Sequence, residues 1–221
     1  EASLDPESTW AIRVRGLRRR SHYATTIAAV KACEISQSLA ACGIRHAVFG
    51  DLALATAYGL PPGSRAINYL SMWVHPAIPT PLLISALASV PELRKPRSGE
   101  RLLRASVGGL AIGIHHGWPA ALGKQRGHLG RPVVTFATSA SGDFPVVSPD
   151  LEAYHLMLSA RSGAGDAWLL DLQTIATAEP QVWCELPVLA AAGGRSLALR
   201  WAWERAQARG AAPPPPPLQT D

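Results

Sequence analysis

A chain of 221 residues, 48% hydrophobic and 17% charged, can bury one sizeable core, which excludes wholesale disorder and leaves room for one compact unit with tails. Its formal charge is +5, from 21 Lys and Arg against 16 Asp and Glu; such an excess favours polyanions, but Arg13, Arg15, Arg18, Arg19 and Arg20 crowd one N-terminal segment and make it local. Cys33, Cys42 and Cys184 form no C-x-x-C pair, which argues against a disulfide framework or zinc knuckle and for a reducing, cytoplasmic setting, and no apolar run reaches the roughly 18 residues of a membrane span.

Residues 1–22 are polar, then arginine-rich, with Trp10, Ile12, Val14 and Leu17 spaced for only a short strand or a turn of helix. They read as a basic arm, either solvated or holding phosphates, with RNA as the partner it would take. The sequence opens at Glu1 without a methionine, and it does not tell whether the natural N-terminus carried a targeting segment. From Ala24 to Cys42, the residues Ala28, Ala32, Ile35, Leu39 and Cys42 share one helical face, and Gly43 supplies the stop. His46 to Phe49 predicts a short buried strand, and Asp51 is placed to cap a helix that ends at Gly59, before the turn Pro61-Pro62-Gly63. Ile67 to Val74 predicts a second strand, closed by Pro76, Pro79 and Pro81, with a helix over Leu82 to Val90.

Arg101 to Val107 and Leu110 to His115, joined by the glycines at 108 and 109, read as a hairpin. Val146 to Asp150 leads from a strand into a helix over Leu151 to Arg161, a further helix surrounds Asp166 to Leu172, and a last one runs from Ser196 to Arg209. Trp168, Trp201 and Trp203 fall on helices as packing anchors. Pro213 to Pro217 forms a polyproline tail, a spacer or a polyproline II ligand. The chain thus divides into the arm (1–22), an α/β core (23–145), a helical portion (146–210) and the tail (211–221). No G-x-S-x-G elbow, Walker loop or dinucleotide fingerprint is present.

The run from Gly43 through Val48-Phe49-Gly50-Asp51 to Leu60, followed by Arg65-Ala66-Ile67-Asn68-Tyr69-Leu70-Ser71-Met72-Trp73-Val74, resembles the opening of minimal nucleotidyltransferases, especially the abortive-infection (AbiEii-type) toxin branch. Val146-Val147-Ser148-Pro149-Asp150 resembles that family's strand and Ser-Pro-Glu cap, and Asp166 to Leu172 loosely resembles its Lys-Asp-x-x-Asp-Leu helix. Over residues 25–178 the resemblance implies an α/β fold: a nucleotidyltransferase-like mixed sheet flanked by helices, with a helical C-terminal portion. In the family, an Arg-Ala-Thr-x-Asp-x-Asp strand carries two metal-binding carboxylates and a later strand carries a third. The corresponding positions here are Tyr69, Ser71 and Gly113, and no acid lies between Glu100 and Asp143. Magnesium demands hard oxygen ligands, chiefly carboxylates, and a phenol and a hydroxyl do not replace two negative charges. The resemblance therefore implies a degenerate member with no metal site and no cofactor.

Gly50-Asp51 stands where the family has Gly-Gly or Gly-Ser, whose amides cradle phosphates. An acid there either caps the helix or serves as a repurposed general base. Arg65 is an anion ligand or a solvated side chain at a strand entrance. Tyr69 and Ser71 share a strand face and either bond a ligand or fill the vacated metal site. His115 and His116 point to opposite faces, so one of them reaches the cleft. A cleft lined by Gly50, Asp51, Arg65, Tyr69, Ser71, Gly113 and His115 admits two functions. One is a binding or regulatory module that takes a protein or RNA partner; the other is a metal-independent enzyme in which Asp51 and His115 are the catalytic acid–base pair for a small molecule.

Overall fold

Helix α1 (Thr9–Ala41) opens the computed structural model, which describes residues 9–58, 65, 67–88, 102–107, 109–117, 135–139, 142–160 and 166–215. Its 33 residues span about 50 Å at 1.5 Å per residue. The expected break near residue 22 is absent: arginine is a good helix former, and the arm continues the helix that packs on the sheet. That packing face is Ala28, Ala32, Ile35 and Leu39. Gly43, at φ 66°, ends it in a Schellman motif, with Gly43 N–H donating to Ala40 O and Ile44 N–H to Leu39 O.

Strand β1 (His46–Phe49) is wholly buried and leads into α2 (Asp51–Ala57), β2 (Tyr69–Val74) and α3 (Thr80–Ala86). Helix α3 starts earlier than expected because Pro81 occupies its first turn, where a missing N–H costs nothing. Gly59, the turn at Pro61-Pro62-Gly63 and residues 89–90 lie outside the described residues, and α3 ends at Ala86 with Leu87 as its C-cap, short of the expected Val90. Strands β3 (Leu102–Val107) and β4 (Leu110–His116) form the expected hairpin, in register from Val107↔Leu110 to Leu102↔His115. A second hairpin, β5 (Thr135–Ser139) and β6 (Gly142–Val146), extends the sheet. The six strands run in the order β3-β4-β2-β1-β6-β5, with β1–β6 and β2–β4 parallel and the other pairs antiparallel.

Alternation divides the sheet's side chains between two layers. Leu70, Met72 and Val74 of β2, with Ile112 and Ile114 of β4, pack against α1 and Leu83 of α3. The opposite face carries Tyr69, Ser71 and Trp73, with Trp73 packed among Ala47, Phe49, Val147 and Leu151. Four C-terminal helices, α4 (Pro149–Ser159), α5 (Ala167–Ala178), α6 (Val182–Gly193) and α7 (Ser196–Ala208), enclose a second core around Tyr154, Met157, Leu172, Leu186 and Trp203, which Leu54 of α2 joins. The tail starts on this bundle: the Trp203 indole N–H donates to Pro213 O at 2.9 Å. Among the described residues no helix is long and apolar enough to cross a membrane.

Candidate functional site: a cleft filled from within

Register sets the floor of the cleft. Phe49 pairs with Ser71, Ser71 with Gly113 and Gly113 with Arg104, so these four lie in one row across β1, β2, β4 and β3. The adjoining row holds Ala47, Trp73 and His115, and on the other side Tyr69 lies beside Ala111. Tyr69, Ser71 and Gly113 are thus brought together on the sheet face turned away from α1.

Tyr69 does not simply line this floor. Its ring lies across Gly113: a Cβ placed on Gly113 would collide with Tyr69 Oη and Cζ. The space that a side chain at position 113 would take is occupied by the phenol. Burial raises the phenol's pKa, against the pull of the nearby Arg104 charge, so the group is neutral at physiological pH. Ser71 stands beside Gly50, its Oγ 3.8 Å from where a Gly50 Cβ would be.

Gly50 links β1 to α2 at φ 76° and ψ −148° and forms the helix N-cap. Only glycine adopts this backbone without strain. Its N–H donates to Glu152 Oε2 at 2.9 Å, and Glu152 is completely buried in the first turn of α4. The protein's own carboxylate therefore holds the amide that a phosphate oxygen would need. The other oxygen, Oε1, lies 3.7 Å from His155 Nδ1. Sequence reasoning passed over Glu152; a lone charge amid Leu151, Ala153, Tyr154, Leu156 and Met157 was the available signal.

Asp51 is not the cap expected of it: no side-chain cap hydrogen bond is present, and Asp51 is the first residue inside α2. Arg65 competes for its carboxylate, with Nε at 2.7 Å and Nη2 at 2.6 Å from Asp51 Oδ1. Arg65 Nη1 donates to Asp171 Oδ1 of α5. Burial works against the Arg65 charge, but the hydrogen bond it donates to Asp171 and attraction from both acids outweigh it and raise the pKa. Arg65 is committed to two carboxylates, and Asp171 is the partner that sequence spacing did not reveal.

His115 reaches the cleft face, whereas its neighbour His116 falls on the other side of β4 with Ile112 and Ile114. The Phe49 ring lies edge-on between His115 and His155, with centroids 5.2 and 5.0 Å away. Burial, then the His155 and Arg104 charges, push the His115 pKa down to about 4. It is a neutral imidazole at pH 7 and a weak base. Because the folded pKa lies below the usual 6.5, acidification protonates the unfolded chain first. The contribution of His115 to stability is therefore complete above pH 6.5 and is lost as the pH falls towards 4, by about 3 kcal/mol. Denaturant melts at pH 7 and pH 4 should show that difference shrink in His115→Gln; an unchanged difference would remove His115 as its source.

Among the described residues no group of three or more His, Cys, Asp or Glu is placed to hold a metal ion.

No family model and no curated protein sequence matches this chain, but solved structures do. The solution structure of the antibiotic-resistance factor ANT(2'')-Ia aligns with a TM-score of 0.55 and 12% identity, over 85% of this chain and 98% of that one. A crystal structure of an antigenic nucleotidyltransferase-like protein from Paracoccidioides brasiliensis aligns over 80% of this chain and 92% of its own, at 17% identity and a TM-score of 0.48. The chain has a nucleotidyltransferase-like α/β fold, and at such identities the likeness concerns the fold alone.

Proposed function

We propose that the protein is a catalytically degenerate nucleotidyltransferase-fold domain, of the abortive-infection type, that acts as a binding or regulatory module for a protein or RNA partner. The observation that carries this reading is the Tyr69 ring lying on Gly113. Nucleotidyl transfer requires divalent cations that align and neutralise a triphosphate. The three positions that would face them hold a phenol, a hydroxyl and a bare backbone. The remaining carboxylates nearby are engaged: Asp51 by Arg65 and Glu152 by the Gly50 amide. These residues do not fit a pair of magnesium ions, and Asp51 and Glu152 would repel a triphosphate at the Gly50 turn.

Two features weigh against a metal-independent acid–base enzyme. Asp51 shares its charge with a guanidinium, and His115 has a pKa of about 4, far from the neutral range in which a proton shuttle works best. On this reading the arm, the α/β core, the helical portion and the tail are docking surfaces around a closed cleft. The free thiols, Cys33 buried and Cys42 and Cys184 exposed, suit a reducing cytoplasm.

Calorimetric titration with magnesium and each of ATP, GTP, CTP and UTP should give no binding heat. A micromolar dissociation constant for any of them would refute the proposal, because that affinity needs both a phosphate cradle and a metal site.

A further inference from the structure

The apolar stripe by which α1 packs on the sheet does not stop where the sheet stops. Ala28, Ala32, Ile35 and Leu39 are buried on that stripe, and steps of three and four residues carry it back through Ala24 and Ser21 to Leu17, Val14 and Trp10. There it is uncovered: Trp10 is 68% exposed, Val14 50% and Leu17 62%. In heptad terms, Trp10 and Leu17 take d positions and Val14 and Ser21 take a positions. The flanking g positions are then Arg13 and Arg20, and Arg18 is at e. Ala11, the other e position, is already buried.

We infer that this seam docks an acidic amphipathic helix of a partner protein. Three considerations select that occupant. A second copy of the chain is disfavoured, because a parallel pair would set Arg13 against Arg18 of the other chain, and an antiparallel pair would set arginine against arginine along the g edge. A lipid surface calls for an apolar face about 100° wide or more, whereas Trp10, Val14 and Leu17 span about 60° at 100° per residue, with arginines directly on both sides. RNA would use the arginines and leave the apolar row in water. An acidic helix with apolar a and d residues satisfies both features at once, each arginine facing a carboxylate while the row is covered. The arm is already helical as part of α1, so docking does not have to nucleate it, which offsets the shortness of the seam. This surface is separate from the cleft and holds whether or not the cleft is catalytic.

The test titrates the full chain with a peptide of about four heptads carrying Leu at a and d and Glu at e and g, and with the same peptide carrying Lys in place of Glu. Phosphatidylserine vesicles and poly(U) RNA are titrated in parallel. The Glu peptide should bind at least about tenfold more tightly than the Lys peptide, and Leu17→Asp should abolish that binding. The triple variant Arg13→Glu, Arg18→Glu, Arg20→Glu should reverse the preference. These residues lie outside both cores, so the melting temperature should stay near the parent's. Equal binding of the two peptides, or none, overturns the inference. So does binding of vesicles or RNA that survives Leu17→Asp without peptide binding, or a dimer in sedimentation that Leu17→Asp dissolves.

Discussion

Glu152→Ala should cost about 3 kcal/mol of folding stability, while Glu152→Gln should remain within about 1 kcal/mol of the parent. Glu152 is fully buried and its Oε2 is the acceptor for Gly50 N–H. Alanine takes from that amide the carboxylate that accepts its hydrogen bond. It also opens a cavity between α4 and the β1–α2 turn. Each of these effects costs on the order of 1–3 kcal/mol when the surroundings relax only in part. Glutamine keeps an oxygen for the amide and removes a charge from the interior, so little should be lost. Denaturant titration of the three proteins decides the matter: a loss below about 1 kcal/mol in Glu152→Ala would mean that the carboxylate is not what holds the Gly50 turn. Nucleotide binding should not appear in that variant, because Tyr69, Ser71 and Gly113 are unchanged and Asp51 remains at the turn.

Where a periodic pattern carried the information, the sequence was legible. The α1 packing face, the buried β1, and the β3–β4 hairpin follow from apolar spacing and glycine placement. The row Ser71–Gly113 followed from placing a family pattern on two strands, and the parallel β2–β4 register brings the two side by side. The continuity of α1 through the arm was hidden because Ile12 and five arginines blur a stripe of only three apolar residues. Strand β5 (Thr135–Ser139) consists of Thr, Phe, Ala, Thr and Ser, with too little alternation to stand out. Helix α6 contains Pro187, which reads as a breaker although the surrounding bundle holds the helix together. In the cleft, the residue types at positions 50, 51, 65, 69, 71, 113 and 115 could be listed from the resemblance, but their engagements could not. Gly50 meets Glu152 across 102 positions of sequence, and Arg65 meets Asp171 across 106. Pairings over such distances are set by how α4 and α5 dock against the sheet, not by any local spacing. The same holds for Tyr69: the resemblance sets it where that family carries a carboxylate, and only the structure places its ring on Gly113.

Arg65→Ala should be the other large loss, about 2–3 kcal/mol. The guanidinium ties the start of α2 to the middle of α5 through Asp51 and Asp171, with side-chain exposures of 26% for Arg65, 37% for Asp51 and 10% for Asp171. Removing it strands Asp171 as an almost buried, unpaired charge, and breaking a fully buried pair costs about 3–5 kcal/mol. Asp51 is open enough for water to compensate most of its share. The two acids should therefore respond unequally to repair. Asp171→Asn in the Arg65→Ala background should regain more stability than Asp51→Asn does, and equal recovery would show that burial of Asp171 is not the source of the loss. Arg65→Lys should recover only part, since a single ammonium cannot present the guanidinium's fork to two carboxylates on different helices. A side chain bound in this way has three of its five N–H donors committed to carboxylates, which compete with any incoming phosphate. Arg65 thus holds the two acids of the cleft wall, as the Tyr69 ring lies over Gly113 on its floor and Glu152 holds the Gly50 turn, each contact made by groups that the chain itself supplies.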